Sequence, residues 1–212
     1  MRITVIGGSG TTGSAAVAEA ARRGHTVTSV TRSGRHVEGA AADVVADLAN
    51  TDVIAELADA AVIELINDSD ATIIAISPDR TGGSTQPVID AFKALIAARP
   101  AGRVIVVGGA GSLLDADGRR LVDSPDFPED YRGEALAFAD VLELFRAAGD
   151  AVAWTLVSPA PGYPVPESSG AYVSGSDSPV GDTLSAADMA LALIDEAEKD
   201  AHRGVRFTVA SA

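Results

Sequence analysis

Three glycines, Gly7, Gly10 and Gly13, stand in GGSGTTG between an apolar run and an Ala-rich segment. Glycine there permits a tight turn and lets backbone N–H groups reach a pyrophosphate, whose charge a following helix N-terminus favours. The last glycine of such a set allows close packing of helix on strand. Thr11 and Thr12 add hydroxyl donors at the helix start. A plain glycine turn with a threonine cap has the same composition, but a strand before and a helix after favour a dinucleotide. No Gly-Lys-Ser/Thr follows, so the loop is not a P-loop.

The ribose of NAD would be held by an acid about 20 residues further on. Here the second apolar run ends VTSVTRSGR, with no acid before Glu38. Thr31, Arg32, Ser33 and Arg35 offer cations and hydroxyls where the 2′-phosphate of NADP would lie. The chain carries 16 Lys plus Arg against 30 Asp plus Glu, a formal net charge of −14, so this patch runs against the general field. Solvated surface arginines are the plainer alternative; NADPH is the cofactor favoured. Asp47 and Leu48 follow the third apolar run and suit an adenine amino group and ring, or equally a helix cap. Ser77 and Pro78 close the fourth run, where the chain would pass beneath ribose and nicotinamide.

The elements that must position these residues follow from periodicity. Runs at 3–6, 26–31, 44–46, 71–77, 104–107, 153–157 and 207–209 are β-branched and predict strands. Several are nearly all apolar, as expected of a parallel sheet covered on both faces. Segments 12–23, 52–67, 87–99, 134–148 and 185–199 carry apolar residues at helical spacing. Alternation of this kind predicts βαβ units and an α/β fold: a Rossmann-type doubly wound, mainly parallel sheet in one domain over 1–212. Two stretches, 108–132 and 158–183, are rich in Pro, Gly and Ser and follow strands. Both belong on the carboxyl-end face, where ligands of open α/β sheets bind.

Charge and composition narrow the function. A net charge of −14 repels nucleic acid and anionic membrane alike. There is no cysteine, which excludes disulfide and thiolate chemistry. The start, MRITVIGGSG, lacks the pattern of a signal peptide, and no window reaches the roughly 18 apolar residues of a membrane span. A cytoplasmic protein acting on a small molecule is expected, with no resident metal, because the three histidines share no ligand spacing.

Larger segments carry a resemblance. They are ITVIGGSGTTG, RRGHTVTSVTR, VVGGAGSLLDADGRRLVDSPDFPEDY, WTLVSPAP, SGAY and LSAADMALALIDEAEKDAHRGVRFTV, which together cover nearly the whole chain. In these the sequence resembles the atypical short-chain dehydrogenase/reductases, and more narrowly the NADH-flavin reductases that share the NAD(P)H-binding fold of biliverdin reductase B and NmrA-like proteins. The resemblance implies that Gly108, Gly109 and Gly111 lie near the nicotinamide and let a broad, flat substrate approach it. A need for positive φ is the other reason for glycine there. It implies Ser112 as a hydrogen-bonding or catalytic contact, Pro159 on the cofactor side, and Pro161 and Tyr163 on the acceptor side.

Short-chain dehydrogenases handle an alcohol proton with Tyr-x-x-x-Lys. Four residues after Tyr131, Tyr163 and Tyr172 stand Ala135, Glu167 and Ser176, and the only lysines are Lys93 and Lys199. Alcohol–ketone interconversion by that route is therefore not expected. Hydride transfer to a flavin needs mainly stacking and orientation. The expectation is an NADPH-dependent reductase that takes a flavin as substrate. A non-catalytic NADP(H) sensor of NmrA type, or a quinone or small-carbonyl reductase or isomerase, would use the same pocket. Trp154, inside a predicted strand, is expected in the core, and the acids between Asp115 and Asp130 in solvent.

Overall fold

A computed structural model describes residues 1–45, 59–78 and 83–212. In chain order these form β1 (Arg2–Ile6), α1 (Thr11–Arg22), β2 (Thr26–Thr31), β3 (Ala42–Val45), α2 (Ala60–Asp68) and β4 (Ala71–Ile74). There follow α3 (Gln86–Ala98), β5 (Val104–Val107), α4 (Glu129–Ala148), β6 (Trp154–Pro159), β7 (Gly162–Val165) and β8 (Tyr172–Gly175). The chain ends with β9 (Thr183–Ser185), α5 (Ala186–Lys199) and β10 (Arg206–Ser211).

Eight strands make one sheet in the order β3-β2-β1-β4-β5-β6-β10-β8. Every neighbouring pair runs parallel except β8 on β10, which is antiparallel at the edge. The chain steps outward from β1 to β3 and then crosses back to β4, so the order reverses between β1 and β4. That reversal opens a crevice at the carboxyl ends of these strands.

Successive side chains of a strand point to opposite faces, which divides the core in two. Ile3 and Val5 pack with Ala16, Val17, Met189 and Leu193 of α1 and α5 on one face. Ile6, Ile74 and Val106 pack with Phe92, Leu142 and Phe145 of α3 and α4 on the other. Strands β4 and β5 are buried at every position, which explains sequences that are apolar apart from Thr72. Trp154 is core, its ring 5.5 Å from that of Phe145. Helix α1 stops where Gly24 takes φ +82°, a conformation that costs glycine nothing.

The departures from expectation are local. Strand β4 ends at Ile74 rather than at 77, and β6 runs on through Pro159. Helix α4 begins at Glu129, five residues before the apolar periodicity does, with Pro128 as its N-cap. The stretch 158–183 is not a free loop, because it holds β7, β8 and the start of β9. Asp47 and Leu48, and the first part of the helix expected over 52–67, lie outside the described residues. No helix among the described residues is long and apolar enough to cross a membrane.

Candidate functional site

The glycine loop divides into glycines the fold requires and one it does not. A Cβ on Gly7 would sit 2.3 Å from the Ala75 carbonyl oxygen, at φ +86°. One on Gly13 would sit 2.1 Å from the Gly7 oxygen, so this residue sets the contact of helix and turn. Gly10 differs. Its φ of −77° suits any residue, and its nearest foreign atom would be the Gly7 oxygen at 3.4 Å. Packing gives no reason for glycine there; open space for a ligand does. Gly10 also N-caps α1 with no side-chain bond, leaving the first-turn N–H groups of Thr11, Thr12 and Gly13 uncapped. Such a turn is a ready anion site.

From this turn a cleft of about 700 Å³ runs across the carboxyl ends of β4 and β5. Gly10, Thr11 and Thr12 line one end, and Ser77, Gly109 and Gly111 its middle. Its far wall holds Phe127, Tyr131, Phe138, Pro159, Pro161 and Tyr163. Gly108 also borders the cleft, although a Cβ there would strike Leu156 at 2.5 Å, so its absence is a packing demand as well. Gly111 is likewise pressed against Ala135, at 2.5 Å. Gly109 has only ordinary contact beneath it, Phe138 at 3.4 Å, and is the second glycine whose open face looks into the cleft. Among the described residues, no lysine, arginine or histidine lines this space.

Tyr163 reaches from β7 across the mouth, where its hydroxyl hydrogen-bonds the Thr12 hydroxyl. The aromatic lining is thus tied to the uncapped first turn of α1. Behind β7, the segment Ser168–Gly170 is anchored on Asp188, which is fully buried. Its carboxylate accepts from the Ser168 and Ser211 hydroxyls at 2.6 Å each, and from the Ser169 and Gly170 N–H groups at 3.1 Å. Ser185 caps α5 by accepting from the Asp188 N–H at 3.0 Å. Only half of a capping box forms, because the acid turns away to hold Ser168–Gly170 instead.

Burial pushes the Asp188 carboxyl up, but those donors outweigh it and hold it at about 2. A carboxyl lowered on folding stabilises above its unfolded value, about 3.9, and loses that contribution as pH falls toward the folded one. The shift corresponds to about 2 kcal/mol. Asp188→Asn is expected to lower Tm at neutral pH by about 4–8 °C. The gap between variant and parent should narrow from about pH 4 to pH 2. A gap unchanged over that range, measured by thermal melts, would show that the charge is not what anchors the segment.

Two expected contacts fall elsewhere. Ser112 is buried beside the cleft but not in it: its hydroxyl accepts from Arg206 Nη1 at 3.4 Å, on the far side of the Gly108–Ser112 turn. Gly111 and Ser112 are the central residues of a turn closed by the Leu113 N–H on the Ala110 carbonyl at 2.9 Å, with Gly111 on the cleft and Ser112 on its other side. Pro78 is buried next to Ser77 without bordering the cleft. The histidines stand apart as well, His25 on Glu198, His36 on Asp43 and His202 on Glu196.

At the end of β2, Arg32, Ser33 and Arg35 are exposed, and Gly34 turns the chain at φ +64°. Neither arginine forms an ion pair with a described residue. Thr31 is buried and its hydroxyl makes no hydrogen bond. The patch adjoins the glycine loop, because Gly7 N–H and Gly8 N–H both donate to the Val30 carbonyl, at 2.9 and 3.2 Å.

Phe127, Tyr131 and Phe138 were not legible as site residues, because Asp123, Asp126, Glu129 and Asp130 dominate that stretch. The signal lay in the spacing: Phe127 and Tyr131 bracket Pro128, the N-cap of α4. Arg132 fixes the turn, donating to the carbonyls of Val122 at 2.5 Å and Phe127 at 3.2 Å. Its guanidinium also lies 5.6 Å from the Phe127 ring centre.

The profile of an NAD(P)H-binding family matches residues 7–200. The chain is 35% identical to the uncharacterized protein YwnB of Bacillus subtilis (strain 168), across 100% of this chain and 99% of that one. The crystal structure of a Streptococcus pneumoniae protein described as "a putative NADH-flavin reductase" superposes with a TM-score of 0.82 at 31% identity, covering 100% of both chains. A Bacteroides thetaiotaomicron structure described as a "putative epimerase" gives 0.81 at 31% identity, over 99% of this chain and 96% of that one.

Proposed function

The chain belongs to the NAD(P)H-binding family, and on that premise we propose that it is an NADPH-dependent reductase whose acceptor is a flavin or a ring system of similar flatness. One observation carries the proposal. A single cleft joins an uncapped helix N-terminus to a wall of aromatic and proline side chains, with glycine surfaces between. The Streptococcus relative's description supports the flavin acceptor but names NADH, so the choice of NADPH rests on the patch at the end of β2.

The residues fit the cofactor. The N–H groups of Thr11, Thr12 and Gly13 would hold its pyrophosphate, with Gly10 leaving room above them. Thr31, Arg32, Ser33 and Arg35 would take the 2′-phosphate, and the unbonded Thr31 hydroxyl is an orphan that such a ligand would satisfy. When bound, the nicotinamide supplies a hydride. The protein's own part is orientation and exclusion of water. Gly109 and Gly111 let a ring approach without side chains between, while Phe127, Tyr131 and Tyr163 offer faces for stacking. The proton would come from solvent; the described lining carries Asp126, Glu134, Tyr131 and Tyr163 but no lysine or histidine.

Oxidation of NADPH by purified, ligand-free protein should be slow alone and accelerate with riboflavin or FMN, saturating in the flavin. Binding of NADPH with no turnover of any flavin or quinone would replace the reductase by a sensor of the cofactor's redox state.

A further inference from the structure

Behind the acceptor half of the cleft lies a second cavity, of about 240 Å³, that shares no lining residue with it. Neighbouring residues face the two spaces in turn: Gly111 and Ser112, Leu121 and Arg120, Phe138 and Ala139. Three guanidinium groups, of Arg120, Arg146 and Arg206, meet there with Glu143 and Asp177 in the lining, and Arg146 Nη1 donates to Glu143 at 2.8 Å. In a chain of net charge −14 such a convergence is unusual.

The Arg206 side chain is only 1% exposed. Its Nε and Nη2 are taken up by Asp177 Oδ1, which also accepts from Arg146 Nη2 at 3.2 Å. The remaining Nη1 makes only long contacts, 3.4 Å to each of the Ser112 and Ser158 hydroxyls. A buried guanidinium nitrogen with long contacts is poorly satisfied for a charged donor. Arg120 is held from outside the cavity by Asp123 through Nε and Nη2, which leaves Nη1 over. The volume exceeds that of several waters, at about 30 Å³ each, and admits a tetrahedral oxyanion or a short dicarboxylate.

We propose that this cavity is a second binding site, selective for a small multivalent oxyanion held by Arg206 and Ser112 at its floor and Arg120 and Arg146 at its rim. Because Ser112 follows Gly111 directly, an anion there bears on the turn that borders the acceptor.

The test is calorimetric titration of the full chain with inorganic phosphate, then with a short dicarboxylate, at constant ionic strength. It is run in a Gly10→Glu background, where the glycine loop is blocked as an alternative anion site. One saturable site per chain is expected, weakened about tenfold or more in Arg120→Gln/Arg146→Gln, whose changes lie at the rim and spare the buried Arg206. Heat that does not saturate, or a saturable site indifferent to both arginine changes, would overturn the assignment. So would saturable binding by the parent that disappears with Gly10→Glu alone.

Discussion

Gly10→Glu is expected to abolish NADPH binding, raising its Kd by about 100-fold or more, while leaving the fold intact. The expectation rests on the contrast inside the glycine loop. A side chain on Gly10 meets only the Gly7 oxygen, at 3.4 Å, and the backbone there is in an ordinary region. The new side chain therefore extends over the first turn of α1, into the space a pyrophosphate needs. Its carboxylate meets the same N–H groups as a competitor and repels the phosphates besides. Being an acid at a helix N-terminus, it should not lower Tm. Gly13→Ala serves as the opposite control. Its Cβ would sit 2.1 Å from the Gly7 oxygen, so the helix must shift and stability falls, whatever happens to binding. Thermal melts and cofactor titrations on the two variants separate a loop kept open for a ligand from one made of glycine for packing alone. If Gly10→Glu still binds NADPH within a few-fold of the parent, the cofactor does not lie over this turn.

The same loop shows why much of the fold was legible. Strand β5 is buried at every position and writes an unbroken apolar run, while β4 and the buried part of β1 are broken only by Thr72 and Thr4, so burial shows in the sequence without knowledge of neighbours. Gly24 is likewise a local signal with a local cause. The stretch 158–183 was not legible, because its strands are defined by partners distant in sequence. Strand β8 exists through pairing with β10, and Ser168–Gly170 through four donors converging on Asp188. Position along a loop did not reveal which way each side chain points. Gly111 and Ser112, both expected at the acceptor, are adjacent, yet one borders the cleft and the other a separate cavity. The aromatic wall was hidden for another reason. The acids of 115–130 read as solvent-facing and most of them are exposed, but they masked Phe127, whose turn Arg132 holds by bonds to the Val122 and Phe127 carbonyls.

Arg32→Glu should weaken NADPH about 30-fold or more while changing NADH by less than about threefold. Three features set this asymmetry. Arg32 and Arg35 are exposed and form no ion pair with a described residue, so neither must give up a partner to meet a phosphate. Asp43 is engaged, its carboxylate holding His36 at 2.5 Å and the Val37 N–H at 3.2 Å, which removes that acid from competition for ribose hydroxyls. Gly34, at φ +64°, turns the segment so that Ser33 and Arg35 flank Arg32; a Cβ there would meet Val45 at 2.6 Å. Reversing one charge at this spot sets a carboxylate against the 2′-phosphate, a group NADH lacks. The parent's preference should also shrink with salt, since exposed charge pairs are screened over about 8 Å at physiological ionic strength. Titrating both nucleotides into parent and variant at two salt concentrations gives four Kd ratios. Equal losses for NADPH and NADH would mean that Arg32 supports the binding face without reading the phosphate, and the selectivity for NADPH would then have no residue in this patch to carry it.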